Sequence, residues 1–161
     1  MKDYVAEMRG AALGARLRRL SAAIDADATR IYAAMGLRFE QRWFGVINQL
    51  SLNGPMSVSE LAAALGISHA SVSETRQSLE KAGLVLSEPD RRDSRRRTLA
   101  LSRSGEVLVD RLRPLWSAFD EAARRLDAEA GEVTQALARL EQALARQSLH
   151  DRIAALIGHR D

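Results

Sequence analysis

Five arginines crowd residues 91–97, where Asp90-Arg91-Arg92-Asp93-Ser94-Arg95-Arg96-Arg97 runs straight into Thr98-Leu99-Ala100-Leu101. Against one aspartate they give a local charge of +4, whereas the whole 161-residue chain carries only +3. Guanidinium groups suit phosphate oxygens, guanine edges and the negative potential of a narrow minor groove. Shortly upstream, Ser68-His69-Ala70-Ser71-Val72-Ser73-Glu74-Thr75-Arg76-Gln77 presents a second set of polar groups. On a helix whose N-terminus faces DNA, Ser68, Ser71 and Ser73 are short donors for phosphates, favoured there by the helix dipole. His69 shares that exposed first turn, and Arg76 and Gln77 reach far enough for base edges, guanine and adenine respectively. The chemistry these residues suit is DNA binding: one segment reads a groove and the other supplies cationic charge.

Nothing comparable suggests catalysis. There is no cysteine, so disulfides, thiolate metal sites and cysteine redox switches are excluded. The only histidines, His69, His150 and His159, have spacings that suit no familiar zinc site, and no metal or other cofactor is expected. No nucleophile–base pair, phosphate-cradling glycine loop or carboxylate dyad is recognisable, so an enzyme is not expected. Of 24 basic residues 22 are arginine, a bias that for the chain as a whole is as well explained by genome composition. No segment approaches the roughly 20 apolar residues that span a bilayer, and the N-terminus is too polar for a signal peptide, so a cytoplasmic protein with no membrane partner is expected.

The elements that must position these groups are legible in the apolar spacing. Leu13, Leu17, Leu20, Ile24, Ala28 and Ile31 mark an amphipathic helix over 11–34, interrupted by Gly36. Trp43, Val46, Ile47 and Leu50 mark a second, stopped by Asn53-Gly54-Pro55. A third opens on a Ser57/Glu60 capping box with Met56 and Leu61 spaced as a hydrophobic staple. Ser68 caps a fourth, with Ile67 and Val72 as its staple, and Gly83 suits its left-handed C-terminus. The period then changes to two, which predicts a two-stranded hairpin with strands near 84–88 and 97–102 and a charged tip. Leu108, Leu112, Leu115, Phe119, Ala122 and Leu126 return to helical spacing, with a bend expected at Pro114. Val133, Leu137, Leu140 and Leu144 carry a further helix, and Ser148 with Asp151 caps a short last one bearing Ile153, Leu156 and Ile157.

This order predicts a mainly α fold with a small β-hairpin wing: a winged helix-turn-helix plus terminal dimerisation helices. Ala62, Gly66 and Val72 carry the helix-turn-helix geometry, a small residue at the helix approach, a turn glycine and a packing residue on the second helix. The expected organisation is an N-terminal dimerisation helix in 1–36, a DNA-binding lobe in 37–104 and C-terminal dimerisation helices in 105–161.

The chain resembles the MarR family of bacterial transcriptional regulators. The resemblance is carried by Ser57-Val58-Ser59-Glu60-Leu61-Ala62, Leu65-Gly66-Ile67-Ser68, Leu79-Glu80-Lys81-Ala82-Gly83-Leu84-Val85, and Asp93-Ser94-Arg95 through Leu101-Ser102-Arg103-Ser104-Gly105. It implies a homodimer with interlocked terminal helices, carrying two reading heads onto a pseudo-palindromic operator. It further implies that Arg95 enters the minor groove while Asp93 braces it; Arg91, Arg92, Arg96 and Arg97 are read from their charge as phosphate contacts or strand-face charge. Two positions depart from the family pattern: Glu74 stands where a cation is frequent, and Thr75 where an aliphatic residue is frequent. Glu74 can accept from cytosine, organise Arg76 or face solvent. A small aromatic or anionic effector is also implied, with Tyr32, Phe39, Arg42, Trp43, Trp116 and Phe119 as candidate lining. The aromatics among them are equally read as core at helical spacing. The resulting expectation is a repressor released by a small molecule; the alternatives are an architectural DNA-binding protein and a winged-helix protein-interaction module.

Overall fold

Capping groups decide where the central helices begin. Ser57 Oγ accepts from the Glu60 backbone N–H at 3.2 Å, while Glu60 Oε2 accepts from the Ser57 N–H at 2.7 Å. This reciprocal pair satisfies two otherwise orphaned groups and starts helix α4, Val58–Leu65. Gly66 ends it in the left-handed region at φ +64°, and the Ile67 N–H turns back onto the Ala62 carbonyl. Ser68 caps the next helix, α5 (His69–Lys81), by accepting from the Ser71 N–H at 3.1 Å. Gly83, at φ +72°, and the Leu84 N–H bonded to the Leu79 carbonyl close α5 and launch the sheet.

The computed structural model describes residues 3–89 and 97–158. Ahead of α4 come α1 (Tyr4–Glu7), a 3-10 turn at Arg9–Ala12, α2 (Leu13–Ala34) and α3 (Trp43–Asn53). Strand β1 (Met56–Ser57) immediately precedes α4; β2 (Val85–Pro89) and β3 (Arg97–Leu101) follow α5. The chain continues as α6 (Arg103–Glu129), α7 (Val133–Arg146) and α8 (Leu149–Gly158).

The sheet has three antiparallel strands in the order β1-β3-β2, not two. The hairpin pairs Val85 with Leu101 through Pro89 with Arg97, and β1 adds Met56 opposite Leu99 and Ser57 opposite Thr98. A two-residue strand is too short to show a period of two, so only pairing reveals it. On β2 the inward position is Val85, whereas Leu86 is 56% exposed.

The chain divides into two compact units, Met1–Asp110 and Arg111–Asp161. The first is built around Tyr32, Trp43, Val46, Ile47, Leu50, Leu61, Val72, Leu79, Val85 and Leu99, all buried. On α2 only Ala28 and Tyr32 are buried, while Leu13, Leu17, Leu20, Ile24 and Ile31 remain exposed.

In the second unit α6 continues through Pro114, and no described residue of α7 or α8 is buried. The α6–α7 turn is held by Asp127, whose carboxylate accepts from the Thr134 N–H and hydroxyl, both at 2.8 Å. Those bonds hold the Asp127 carboxyl below its ordinary pKa, the Thr134 backbone N–H contributing most. Ser148 caps α8 as expected, accepting from the Asp151 N–H at 3.1 Å.

Candidate nucleic-acid interface

The sequence of α5 sorts its side chains into two opposite faces. Val72, Thr75 and Leu79 are buried and dock the helix onto the first unit. At 100° per residue, Ala70, Glu74, Gln77 and Lys81 fall on the far side, and all four are exposed. His69 and Ser71 are exposed in the first turn, and Ser73 is half-buried beside the outward row. Ser68 and Ser71 hydroxyls share a hydrogen bond of 2.9 Å, so the helix start is a preorganised pair of polar groups beside unsatisfied backbone donors.

Arg76 stands apart from that row. Its guanidinium makes two bonds to Glu80, at 3.0 and 2.8 Å, and its side chain is 19% exposed. The partner anticipated among the alternatives for Arg76 was Glu74; the structure supplies Glu80, one turn further on. Lys81, by contrast, joins the outward face, which sequence reading missed although the spacing 70, 74, 77, 81 is a plain helical row.

Arg91, Arg92, Asp93, Arg95 and Arg96 lie outside the described residues. What is described is the base of their hairpin, where Pro89 pairs with Arg97. Arg97 is exposed there and donates to the Ser87 carbonyl at 3.4 Å.

Behind α5, four residues form a polar latch that composition and spacing did not reveal. Ser78 Oγ accepts from the Trp43 indole N–H at 3.0 Å and from Arg42 Nη2 at 3.2 Å, and donates to Glu40 Oε1 at 3.3 Å. Arg42 Nε also donates to Glu40 Oε2 at 2.6 Å. The latch ties the start of α3 and the segment before it to the last turn of α5, fixing the helix that presents the outward row. Replacing Ser78 with Ala leaves the Trp43 N–H, on a buried side chain, without its acceptor. The expected cost is about 1–3 kcal/mol by denaturant unfolding, with Ser78→Thr recovering most of it; unchanged stability in the alanine variant would show that the latch carries no weight.

The residues considered for an effector separate into two sets. Tyr32, Phe39 and Trp43 are buried and stacked in series, with ring centroids 4.6 Å apart for the first pair and 5.7 Å for the edge-on second. They act as packing for the first unit, and Arg42 faces a carboxylate of its own chain, Glu40. Trp116 and Phe119 belong to the second unit, half-buried on α6. Among the described residues no cluster of three or more His, Asp or Glu is placed to hold a metal ion. No described helix is long and apolar enough to cross a membrane.

Residues 36–96 match the MarR family. The match runs from just before α3 through β2 and leaves the flanking helices outside it. Solved structures extend the likeness beyond the lobe. The Staphylococcus aureus MepR–DNA complex is 22% identical, with a TM-score of 0.66, covering 83% of this chain and 97% of MepR. A mutant Escherichia coli MarR bound to operator DNA is 17% identical, with a TM-score of 0.67 over 89% of this chain and 99% of that one. Bordetella bronchiseptica BpsR, whose DNA binding is regulated by 6-hydroxynicotinic acid, is 20% identical with a TM-score of 0.64, covering 80% and 92%. At these identities the likeness establishes the fold, a MarR-type winged helix. No curated protein matches the chain.

Proposed function

We propose that this chain is a MarR-family, sequence-specific transcriptional regulator, a homodimeric repressor of a pseudo-palindromic operator that a small molecule releases. The observation that carries the reading is α5: its start is capped, its inner face is buried, and its outer face is polar and exposed. Immediately beyond it stands the arginine-rich hairpin, a source of phosphate contacts and minor-groove insertion. Ser68, His69, Ser71 and Ser73 serve the phosphates, and Gln77 the base edges. Arg91, Arg92 and Arg96 add backbone contacts, and Arg95 enters the minor groove, braced by Asp93.

The unsatisfied apolar stripes support the homodimer. Leu13, Leu17, Leu20, Ile24 and Ile31 on α2, and Val133, Leu137, Leu144, Ile153, Leu156 and Ile157 on α7 and α8, are exposed in the single chain. Two copies burying such stripes place two α5 helices about one DNA turn apart. A small aromatic or anionic effector, the class that regulates BpsR, acts on this dimer. Tyr32, Phe39, Arg42 and Trp43 of the first unit and Trp116 and Phe119 of α6 are its candidate lining residues.

Titrating salt against a selected palindrome and against random DNA tests the reading. Specific binding should persist at salt concentrations that abolish random binding, and parallel loss on both would reduce the protein to an architectural binder. Arg95→Ala should weaken operator binding about tenfold while leaving the dimer folded; wild-type affinity in that variant would remove Arg95 from the interface.

A further inference from the structure

The outward row of α5 has an unusual composition for a surface that meets a polyanion. Its centre is a carboxylate, Glu74, which has no ion-pair or hydrogen-bond partner among the described residues. The one arginine of the helix, Arg76, is turned to the flank and occupied by Glu80. A glutamate brought to the floor of a major groove is repelled by the phosphates unless it finds a donor there. The donor that the groove offers is the exocyclic amine of cytosine, with that of adenine the other. Gln77, three residues on, carries a donor and an acceptor that match adenine N7 and N6.

Helical rise places Glu74 and Gln77 about 4.5 Å apart along the axis, close to one base-pair step of about 3.4 Å. Ala70, one turn earlier, is small enough for close approach and can rest on a thymine methyl. Lys81, at the other end of the row, compensates the carboxylate's charge against the backbone.

We propose that Glu74 and Gln77 are this chain's specificity-determining pair: Glu74 accepts a hydrogen bond from a cytosine N4 amine, and Gln77 pairs with an adenine at a neighbouring step. Arg76 is no base reader but a brace within α5. The proposal rests on the DNA-binding reading above and adds the identity of the bases. Glu74 gives up affinity for specificity, because its charge penalises every site that lacks the cytosine amine.

The test is selection from randomised duplex DNA with the full-length protein and two variants, Glu74→Ala and Gln77→Ala, each checked for wild-type helicity. The wild type should enrich half-sites with an invariant cytosine and an adjacent adenine. Glu74→Ala should lose about tenfold in preference for that cytosine alone, and its binding to random DNA should strengthen. Gln77→Ala should relax the adenine and keep the cytosine. A Glu74→Ala variant that keeps the cytosine preference, or that weakens on all sequences alike, overturns the assignment of Glu74. A wild type that enriches no sequence overturns the regulator reading itself, and a wild type that enriches half-sites without the cytosine overturns only the proposed pair.

Discussion

Leu20→Glu combined with Ile24→Glu should yield a folded monomer that binds the operator about 100-fold or more weakly than the wild type. Both side chains are largely exposed in the single chain, at 55% and 59%, so the first unit loses little core packing by the change. In a homodimer that buries α2, the same two substitutions place four carboxylates in an apolar seam. Each unpaired buried charge costs several kcal/mol, and the two replaced side chains also forfeit their own burial gain of about 25 cal/mol per Å². The DNA consequence follows from linkage of two heads: separated reading units forfeit an effective-concentration gain on the order of 10²–10⁴. Light scattering reports the mass and fluorescence anisotropy the affinity. Dimeric mass with unchanged affinity would contradict the assignment of α2 to the seam. Monomeric mass with full affinity would contradict the two-headed reader.

Gly105→Ala should be the most damaging single-methyl change within the first unit. A β-carbon at Gly105 would overlap the backbone carbonyl oxygen of Leu84 and press on the Leu101 side chain. That carbonyl already accepts from the Ser102 N–H at 3.0 Å, and Ser102 Oγ joins the junction by donating to the Gly83 carbonyl at 2.6 Å and accepting from the Gly105 N–H at 3.0 Å. Backbone cannot yield as a flexible side chain does, so the start of α6 must move away from the end of α5 and break this set of bonds. Overpacking costs typically about 1–3 kcal/mol, and the lost hydrogen bonds add about 1 kcal/mol each. A fall in Tm of about 10 °C is expected from a total of that size. A variant melting with the wild type would show that the junction relaxes freely.

Local signals described the first unit well because its helix ends are governed by neighbours in sequence. Ser57 with Glu60, Ser68 with Ser71, Gly66 and Gly83 act within a few residues, so spacing alone locates them. The hairpin strands were legible from alternation, but not which side faced inward: Leu86 points out and Val85 in, since that choice depends on what packs beneath. The strand β1 and the Asp127–Thr134 closure of the α6–α7 turn were not legible, one for want of length and the other because its partners lie seven residues apart across a turn.

The candidate interface divides in the same way. The sequence by itself determined that α5 would exist, where it would start, and that an arginine-rich hairpin would follow, because capping, helical periodicity and charge are properties of short stretches. Only the tertiary structure decided which α5 side chains are available. Burial of Val72, Thr75 and Leu79 aims the row Ala70, Glu74, Gln77 and Lys81 outward, while Glu80 holds Arg76 at the flank. Ser78, an unremarkable serine in the sequence, gains its role from Glu40, Arg42 and Trp43, residues 35 to 38 positions away. Capping energies are set between neighbours along the chain; orientation is set by whatever the fold packs against the helix.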